Sequence, residues 1–304
     1  MRNTFAETML EVGLIDPKLV VLVGDISHFA LQPFAQACPG RFYNVGICEP
    51  TIVSMSAGLS HVGFHPVAHT IAPFLIERSF EQIKLDFCYQ ERGGNLISVG
   101  SAFDYSGLGV SHYCHDDIAL IKALPRTQIV YPAMPNEFKI LFEQTYKNDY
   151  LTYFRLPDHK HNYEIPNHKI KFGEAVVVQE GTDITIVVIG PQLGTVMESI
   201  QELKQNQISA EVLYYPTIKP FDSATLVESV SKTKNYIVIE EHSEYGGIGD
   251  DVIRAVKALD NIHSDAINIP NEFSHNYGNY KDQCEYYGFT SPNIKRKIKI
   301  LLEK

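Results

Sequence analysis

Short apolar runs alternate with segments of helical periodicity along the whole chain. Residues 19–24, LVVLVG, form a continuous apolar run of the kind that is buried on both faces of a sheet. Further strands are predicted over residues 41–45, 65–69 and 95–100, and helices over residues 50–61 and 77–90. The alternation predicts a mostly parallel, doubly wound α/β sheet for the first half of the chain.

A polar segment with three His and two Pro, residues 157–172, separates this half from a second one. We interpret it as a linker between a domain over residues 1–156 and a smaller domain over residues 173–304. The second domain begins with two apolar strands, 174–180 and 183–189, and the short Gly-Thr turn that joins them predicts a hairpin. Strands and helices alternate again after this pair, so both domains are predicted to be α/β.

The composition is that of a folded globular protein. Of the 304 residues, 44% are hydrophobic and 20% are charged, and this length is enough for two domains. The net charge of −10, with acidic and basic residues mixed along the chain, argues against a general nucleic-acid binder. No apolar run approaches the ~18 residues of a membrane span. The N-terminus has acidic residues among its apolar ones, unlike a signal peptide.

The five cysteines are expected to be reduced thiols. Their number is odd, no two form a CxxC pair, and their spacings suit no zinc site. We therefore expect a cytoplasmic protein that binds no metal by itself and has neither nucleic acid nor a membrane as a partner.

The common phosphate-binding and nucleophile motifs are absent from the sequence. There is no P-loop, no GxSxG elbow and no Gly-Asp-Gly followed by an Asn pair, the signature of a diphosphate-Mg²⁺ site. A glycine-rich stretch at residues 246–249 precedes a helix but follows the acidic run EEHSE, which favours a close-packed turn over a phosphate site. The chain is therefore not expected to bind a nucleoside triphosphate or a diphosphate cofactor unaided.

One carboxylate, Glu49, lies between a predicted strand and a predicted helix. The strand ends at Gly46, and Pro50, a residue favoured at the first position of a helix, follows Glu49. Open α/β sheets bind ligands at the carboxyl ends of their strands, which is where this junction lies. A carboxylate at a helix N-terminus is also favoured by the helix dipole alone. From these residues alone, a ligand contact and an ordinary helix start are equally open.

Glu49 belongs to an ordered set of motifs. The set consists of VGICE at residues 45–49, FLIERSFEQ at 74–82, GLGVSH at 107–112 and DIA at 117–119. In its order and spacing the set resembles the C-terminal section of the transketolase family, and the resemblance extends over essentially the whole chain. It implies two α/β domains, a thiamine pyrimidine-binding domain and a transketolase C-terminal-like domain.

The resemblance implies a split enzyme that depends on thiamine diphosphate. This chain would be its pyrimidine-binding subunit, and a separate N-terminal transketolase subunit would bind the diphosphate and Mg²⁺. In the family the active site lies between such domains of two protomers, so we expect an α₂β₂-like assembly. The implied reaction transfers a two-carbon ketol unit between sugar-type substrates.

The resemblance also assigns roles to residues that match the family's motifs. The expected catalytic residues are Glu49 and His112. The expected cofactor contacts are Glu49, Ile47, Phe74 and Arg78. The expected substrate contacts are His28, His69, Ser111 and Arg155.

Thiamine chemistry explains why a single carboxyl at position 49 matters. Loss of the proton on the thiazolium carbon requires the cofactor's own amino group to act as the base. A glutamic acid bonded to the opposite pyrimidine nitrogen favours the required tautomer, and burial favours the protonated form of a carboxyl. Glutamine could form the hydrogen bond without exchanging the proton, and aspartate would be one methylene short.

The sequence departs from the family pattern at its substrate end. Leu108 stands where the family usually has an Asp that binds a sugar hydroxyl, and Asp158 stands where an Arg often holds the sugar phosphate. Arg78 lies four residues after Phe74 rather than three. We therefore expect the thiamine machinery to be retained and the substrate to be an unphosphorylated, nucleotide-linked or otherwise unusual sugar or 2-oxo acid.

Two other functions are compatible with the same residues. A decarboxylating thiamine enzyme, like 1-deoxyxylulose-5-phosphate synthase or the β subunit of a 2-oxo-acid dehydrogenase, shares the glutamate and a loop histidine. A lipoyl-bearing third component would distinguish the dehydrogenase. A non-catalytic regulatory subunit could keep the fold alone, although the retention of Glu49, Phe74 and His112 together argues against it.

Overall fold

The computed structural model describes residues 1–303 and contains two β-sheets. Each sheet has apolar side chains on both of its faces. Alternate residues of a strand enter different cores: Val21 and Val23 pack with one apolar cluster, and Leu22 packs with the other. In the second sheet, Ile186 and Val187 are divided between the same two clusters. The predicted α/β fold of both halves, with a mostly parallel sheet in the first, is confirmed.

The strands of the two sheets are numbered here in chain order. They are β1 (Leu19–Val23), β2 (Phe42–Asn44), β3 (His65–Ile71), β4 (Gly94–Val99), β5 (Thr127–Val130), β6 (Leu151–Phe154), β7 (Val176–Gln179), β8 (Ile184–Val188), β9 (Ala210–Tyr214), β10 (Thr217–Lys219), β11 (Asn235–Ser243) and β12 (His263–Ile269).

The first sheet has the strand order β10-β5-β6-β4-β3-β1-β2. Its neighbouring strands are parallel except at one edge, where β10 pairs antiparallel with β5. β10 comes from the second half of the chain, so the two halves share a sheet edge that the sequence pattern did not predict. A backbone hydrogen bond from Tyr131 N to Pro216 O, 2.8 Å long, extends this pairing.

The second sheet has the strand order β12-β11-β8-β9-β7. The predicted hairpin of its first two strands is wrong, because β9 lies between β7 and β8 and pairs with both. The turn before β8 is bonded to the residue that precedes β9: Thr182 N and Asp183 N both donate to Ser209 O. These bonds align β8 parallel to β9, and β7 therefore lies at the edge of the sheet.

The helices pack on both faces of the sheets. They are α1 (Arg2–Ile15), α2 (Gln32–Ala37), α3 (Glu49–His61), α4 (Ala72–Ile76), α5 (Phe80–Gln82), α6 (Asp117–Lys122), α7 (Pro135–Thr145), α8 (Gln192–Gln205), α9 (Ser223–Thr233), α10 (Ile248–Val256), α11 (Tyr280–Tyr287) and α12 (Ser291–Leu302). Among the described residues, none of these helices combines the length and the apolar character needed to cross a bilayer.

The predicted helix over residues 77–90 is divided in the structure. After α5, a π-helix covers Ile83–Cys88, and its wider turns bond each N–H to a carbonyl five residues back, as from Tyr89 N to Lys84 O at 2.9 Å. Helical periodicity does not distinguish this short π segment from an ordinary α-helix.

The first sheet reverses its winding direction at β1, which has β2 on one side and β3 on the other. Crossovers on the two sides of β1 therefore run in opposite directions, and the carboxyl ends of the strands leave a crevice there. The segments that follow β1, β2, β3 and β4 all reach this end of the sheet. The sheet thus places the motifs at residues 45–49, 74–82 and 107–112 on one edge.

A crowded glycine in the second sheet and an open one in α3 test the packing of the chain. A Cβ on Gly181, in the turn between β7 and β8, would lie 2.2 Å from the carbonyl carbon of Ala210, whereas a Cβ on Gly58 in α3 would meet no atom within 4 Å. We expect Gly181→Ala to lower the free energy of unfolding by about 1–3 kcal/mol through overpacking. Gly58→Ala should raise it by about 0.5–1 kcal/mol. Urea unfolding of the chain checks both, and equal midpoints would contradict the packing described.

A buried histidine at the junction of the two sheets predicts a loss of stability in acid. His242 Nε2 accepts a hydrogen bond from Ala119 N at 3.3 Å, and burial lowers the pKa of His242 to about 4, although Asp117 opposes this effect. An unfolded histidine titrates near 6.5, so the unfolded chain binds more protons between pH 6.5 and 4. Stability therefore falls as the pH drops through this range, by up to about 1.4 kcal/mol per pH unit from this residue.

The variant His242→Gln should remove this part of the pH dependence. The matched control is His263→Gln, at an exposed position at the start of β12, and it should leave the slope unchanged. Denaturant unfolding at several pH values between 4 and 7 measures both slopes. If His242→Gln and the wild type lose stability in parallel, His242 is not held neutral in the folded chain.

Candidate active site

Glu49 is the first residue of α3 and is almost completely buried, with 1% of its surface exposed. Gly46, with φ at +82°, turns the chain after β2, and Pro50 lies in the first turn of the helix. The carboxyl oxygen Oε2 accepts a hydrogen bond of 2.9 Å from Arg78 Nη1. Within residues 1–303 the other oxygen, Oε1, has no hydrogen-bond donor. One oxygen is thus held by the chain and the other is free for another group.

The Arg78 side chain joins Glu49 to Phe74. Its guanidinium carbon lies 4.3 Å from the centroid of the Phe74 ring, a cation–π distance. Phe74 belongs to α4, and the turn after this helix is wide, because Arg78 N bonds to Pro73 O five residues back at 3.3 Å. This turn accommodates the additional residue between Phe74 and Arg78, so that the guanidinium still reaches Glu49.

His112 also contacts Phe74. The two rings are 5.0 Å apart and meet edge to face at 76°. The imidazole Nδ1 is 3.0 Å from Ser111 Oγ, and within residues 1–303 the other nitrogen, Nε2, has no hydrogen-bond partner. His112 is half-buried at the end of a short 3₁₀ turn, Val110–His112.

Glu49, Arg78, Phe74 and His112 therefore form one continuous row of contacts at the carboxyl end of the first sheet. The row offers a buried carboxyl oxygen, an aromatic ring and an imidazole nitrogen, each of which is available to a further group. Such a set can stack a flat heterocycle, exchange a proton with it and bind hydroxyl groups beside it.

His69 belongs to a separate group of contacts at the same end of the sheet. Its Nδ1 lies 2.8 Å from Ile97 O and its Nε2 lies 2.9 Å from Ser27 Oγ. Burial lowers the pKa of His69 to about 4, so the ring is neutral at pH 7. Its two nitrogens are both occupied, and His69 acts on the loop after β1 through Ser27.

His28 lies in the strained loop after β1. Asp25 and Ser27 have φ values of +56° and +58°, in the left-handed region that non-glycine residues seldom adopt. His28 Nδ1 is buried and makes no hydrogen bond within residues 1–303, although a carboxyl oxygen of Asp25 lies 3.9 Å away. Backbone strain of this kind is frequent in ligand-binding loops.

Three further positions from the sequence analysis lie outside the row. Ile47 is 73% exposed and Leu108 is 61% exposed. The carboxylate of Asp158 lies 3.6 Å from the guanidinium of Arg2. An apolar side chain thus lies four residues before His112, where the family usually has an Asp.

Arg155 does not line the site, and its expected substrate contact is corrected. The side chain is completely buried, and its Nε donates to Asp117 Oδ2 at 2.7 Å. Its other two nitrogens each donate one hydrogen bond, to Cys114 O at 2.7 Å and to Glu241 O at 3.2 Å. Every nitrogen of the guanidinium is used inside the protein, so Arg155 joins the two halves of the chain.

Glu77, beside Arg78, is a titratable group for which the sequence motifs predict no role. The side chain keeps contact with solvent, yet partial burial raises its pKa to about 7, and Asp117 and Asp116 add to the increase. These aspartates begin α6 and approach Glu77 only in the folded chain, so no local pattern could reveal the group.

No group of three or more His, Cys, Asp or Glu side chains within residues 1–303 is arranged to hold a metal ion.

Comparison with known proteins supports the resemblance found in the motifs. Residues 1–164 match the transketolase pyrimidine binding domain, and residues 173–294 match the transketolase C-terminal domain. A protein of Actinobacillus succinogenes described as one subunit of an apulose-4-phosphate transketolase is 32% identical, over 84% of this chain and 83% of that protein. An uncharacterized 33.6 kDa protein from the fasciation locus of Rhodococcoides fascians is also 32% identical, over 80% of this chain and 76% of the relative.

A solved structure has the same fold over its full length. It is described as a split gene transketolase, inactive beta4 tetramer, and it matches with a TM-score of 0.90 and 29% identity over 99% of this chain and 98% of the other. The chain therefore belongs to the transketolase family and comprises its pyrimidine-binding and C-terminal domains.

Proposed function

We propose that this chain is the pyrimidine-binding subunit of a split transketolase-like enzyme that transfers a two-carbon ketol unit between sugar-type substrates. The observation that carries the proposal is the buried Glu49 carboxyl, which keeps one oxygen free and is joined to the Phe74 ring through Arg78. Family membership supports dependence on thiamine diphosphate. The relative described as one subunit of a transketolase supports a division of the enzyme between two chains.

The residues present fit the pyrimidine ring of thiamine diphosphate. Glu49 Oε1 has no donor within residues 1–303, so it can bond to a pyrimidine nitrogen. The half-buried Phe74 offers a ring for stacking, and Arg78 fixes the carboxyl by its other oxygen. Ile47 lies two residues before Glu49 in the same turn and provides an apolar contact.

The bound cofactor would supply a thiazolium carbon that attacks the carbonyl of a ketose. Glu49 would share a proton with the pyrimidine nitrogen at Oε1, and in this way maintain the tautomer that can accept the thiazolium proton. Burial strengthens this exchange because water does not compete for the oxygen. Phe74 would keep the ring in the plane that Oε1 can reach, which is a positioning role.

His112 would act on the substrate through Nε2. Because Ser111 Oγ lies 3.0 Å from Nδ1, the ring orientation is set and Nε2 faces away from that bond. An imidazole at this position can bind a sugar hydroxyl and move its proton as the carbon skeleton is cleaved or joined. His28 and His69, at the same end of the sheet, would shape the substrate side through the loop after β1.

The diphosphate and Mg²⁺ would be bound by a separate N-terminal subunit. This chain lacks the Gly-Asp-Gly and Asn signature of a diphosphate-Mg²⁺ site. The solved relative made of β chains alone is described as inactive, which is consistent with a need for a second chain. We propose an α₂β₂-like assembly in which each active site is completed by both kinds of subunit.

Glu49→Gln tests the proton-sharing role. With the N-terminal subunit present, we expect the variant to bind thiamine diphosphate but to exchange the thiazolium proton for deuterium at least ~100-fold more slowly, since general acid–base groups contribute about 10²–10⁴-fold. Exchange is measured by NMR after rapid quenching and needs no knowledge of the substrate. Ketol transfer should fall in parallel while circular dichroism stays unchanged.

The matched control for this variant is Glu240→Gln. Glu240 is another buried carboxyl; it lies in β11 and accepts hydrogen bonds from Ile248 N and Gly249 N at the start of α10. This substitution should leave the exchange rate within about twofold of the wild type, far from the 10²-fold scale of acid–base effects. Near-normal exchange in Glu49→Gln would contradict the proposal.

Arg78→Ala tests the role of the guanidinium that holds Glu49. The variant leaves the buried carboxyl without its partner, so we expect the Kd for thiamine diphosphate in the assembled enzyme to rise about tenfold, or about 1.4 kcal/mol. The control is Arg126→Ala, whose guanidinium lies 4.9 Å from the Tyr150 ring near the amino ends of β5 and β6. Calorimetric titration gives both constants, and equal affinities for the two variants would exclude Arg78 as a cofactor contact.

A further inference from the structure

The loop that carries His112 is held by a segment of the second half of the chain. This segment, the strap, covers residues 270–279 between β12 and α11 and has no regular secondary structure. It lies against the His112 loop, residues 101–115. Ser106 Oγ donates a hydrogen bond to Gly278 O at 2.5 Å, and the Tyr113 hydroxyl donates to Asn276 O.

Tyr277 is the strap residue whose side chain presses on the His112 loop. Its ring covers Gly109, where an added Cβ would lie 2.2 Å from Tyr277 Cε1. Gly109 has φ at +84°, and its carbonyl accepts the hydrogen bond from His112 N at 2.9 Å. Only glycine permits both this conformation and the approach of the ring. The turn that presents His112 thus begins at the residue that Tyr277 covers.

The far end of the same loop is anchored in the second half as well. The Phe103 ring is completely buried and lies 5.2 Å from the ring of Tyr280 and 6.0 Å from that of Tyr287. Aromatic pairs at these distances stabilise their arrangement beyond the area they bury. The strap and the helix after it therefore hold the His112 loop along its length, and Tyr277 is the strap side chain that covers the start of the turn carrying His112.

We propose that Tyr277 is a positioning residue for His112, and that the second half of the chain thereby sets the geometry of the substrate side of the site. The expected effect on catalysis rests on the proposed function. The contact between Tyr277 and the His112 loop does not depend on it. Displacement of a reacting group by about 1 Å can reduce a rate by about 10²-fold. A ring that fixes the start of a one-turn helix therefore affects the imidazole at its end.

The structural part is tested on the chain alone with Tyr277→Ala. We expect deuterium exchange of the amides at residues 106–113 to become at least tenfold faster. The ¹³C-labelled imidazole signal of His112, assigned with His112→Gln, should also shift, because the edge-to-face contact with Phe74 at 5.0 Å exposes it to the ring current. Tyr277→Phe keeps the ring and should behave as the wild type.

The matched control is Tyr286→Ala, an exposed tyrosine of α11 whose ring packs on Tyr287. It should leave both the exchange and the His112 signal unchanged. Ser106→Ala removes the hydrogen bond to Gly278 O, another attachment of the strap, and should change both in the direction of Tyr277→Ala. If Tyr277→Ala and Tyr286→Ala give the same exchange rates and the same His112 signal, the proposal is overturned.

In the assembled enzyme, Tyr277→Ala should lower kcat/KM for the ketose donor about tenfold at unchanged affinity for thiamine diphosphate, because Glu49 and Phe74 are untouched. A loss of cofactor affinity equal to the loss of kcat/KM would overturn the positioning role. If the proposed function is wrong, the results differ. Glu49→Gln would then exchange the thiazolium proton at the normal rate, whereas Tyr277→Ala would still shift the His112 signal.

Discussion

The hydrogen bond between Arg78 and the buried Glu49 carboxyl is the interaction on which the candidate site depends. A carboxyl that is 1% exposed is costly to leave without a partner, and Arg78 supplies that partner from the turn after α4. The same guanidinium covers Phe74, whose ring meets His112. The ion pair and the contacts of Phe74 therefore join the segments that follow three parallel strands, and Glu49 Oε1 is left free for a ligand.

Much of this site could be predicted from the sequence because parallel strands bring their carboxyl ends to one edge. Glu49, Phe74 and His112 each follow a different strand, so the strand–helix alternation alone places them at the same end of a sheet. Their order and spacing then indicate the family, which the domain matches confirm. The additional residue before Arg78 is absorbed by a wide turn, and the contact with Glu49 is preserved.

Contacts between distant segments could not be predicted in the same way. The apolar pattern indicates that β7 and β8 are strands, but it does not reveal that β9 lies between them. Arg155 follows a strand like the site residues do, yet Asp117 holds it in the interior. Tyr277 has no local signal at all, because its role arises from contact with Gly109 in the other half of the chain. Pairing partners are a property of the folded chain.

The proposed cofactor site is divided between two chains. The most direct test is calorimetric titration of thiamine diphosphate and Mg²⁺ into this chain, into the proposed N-terminal subunit, and into their mixture. Tight binding is expected only in the mixture, with one cofactor for each pair of chains. Equally tight binding by this chain alone would contradict the proposed division.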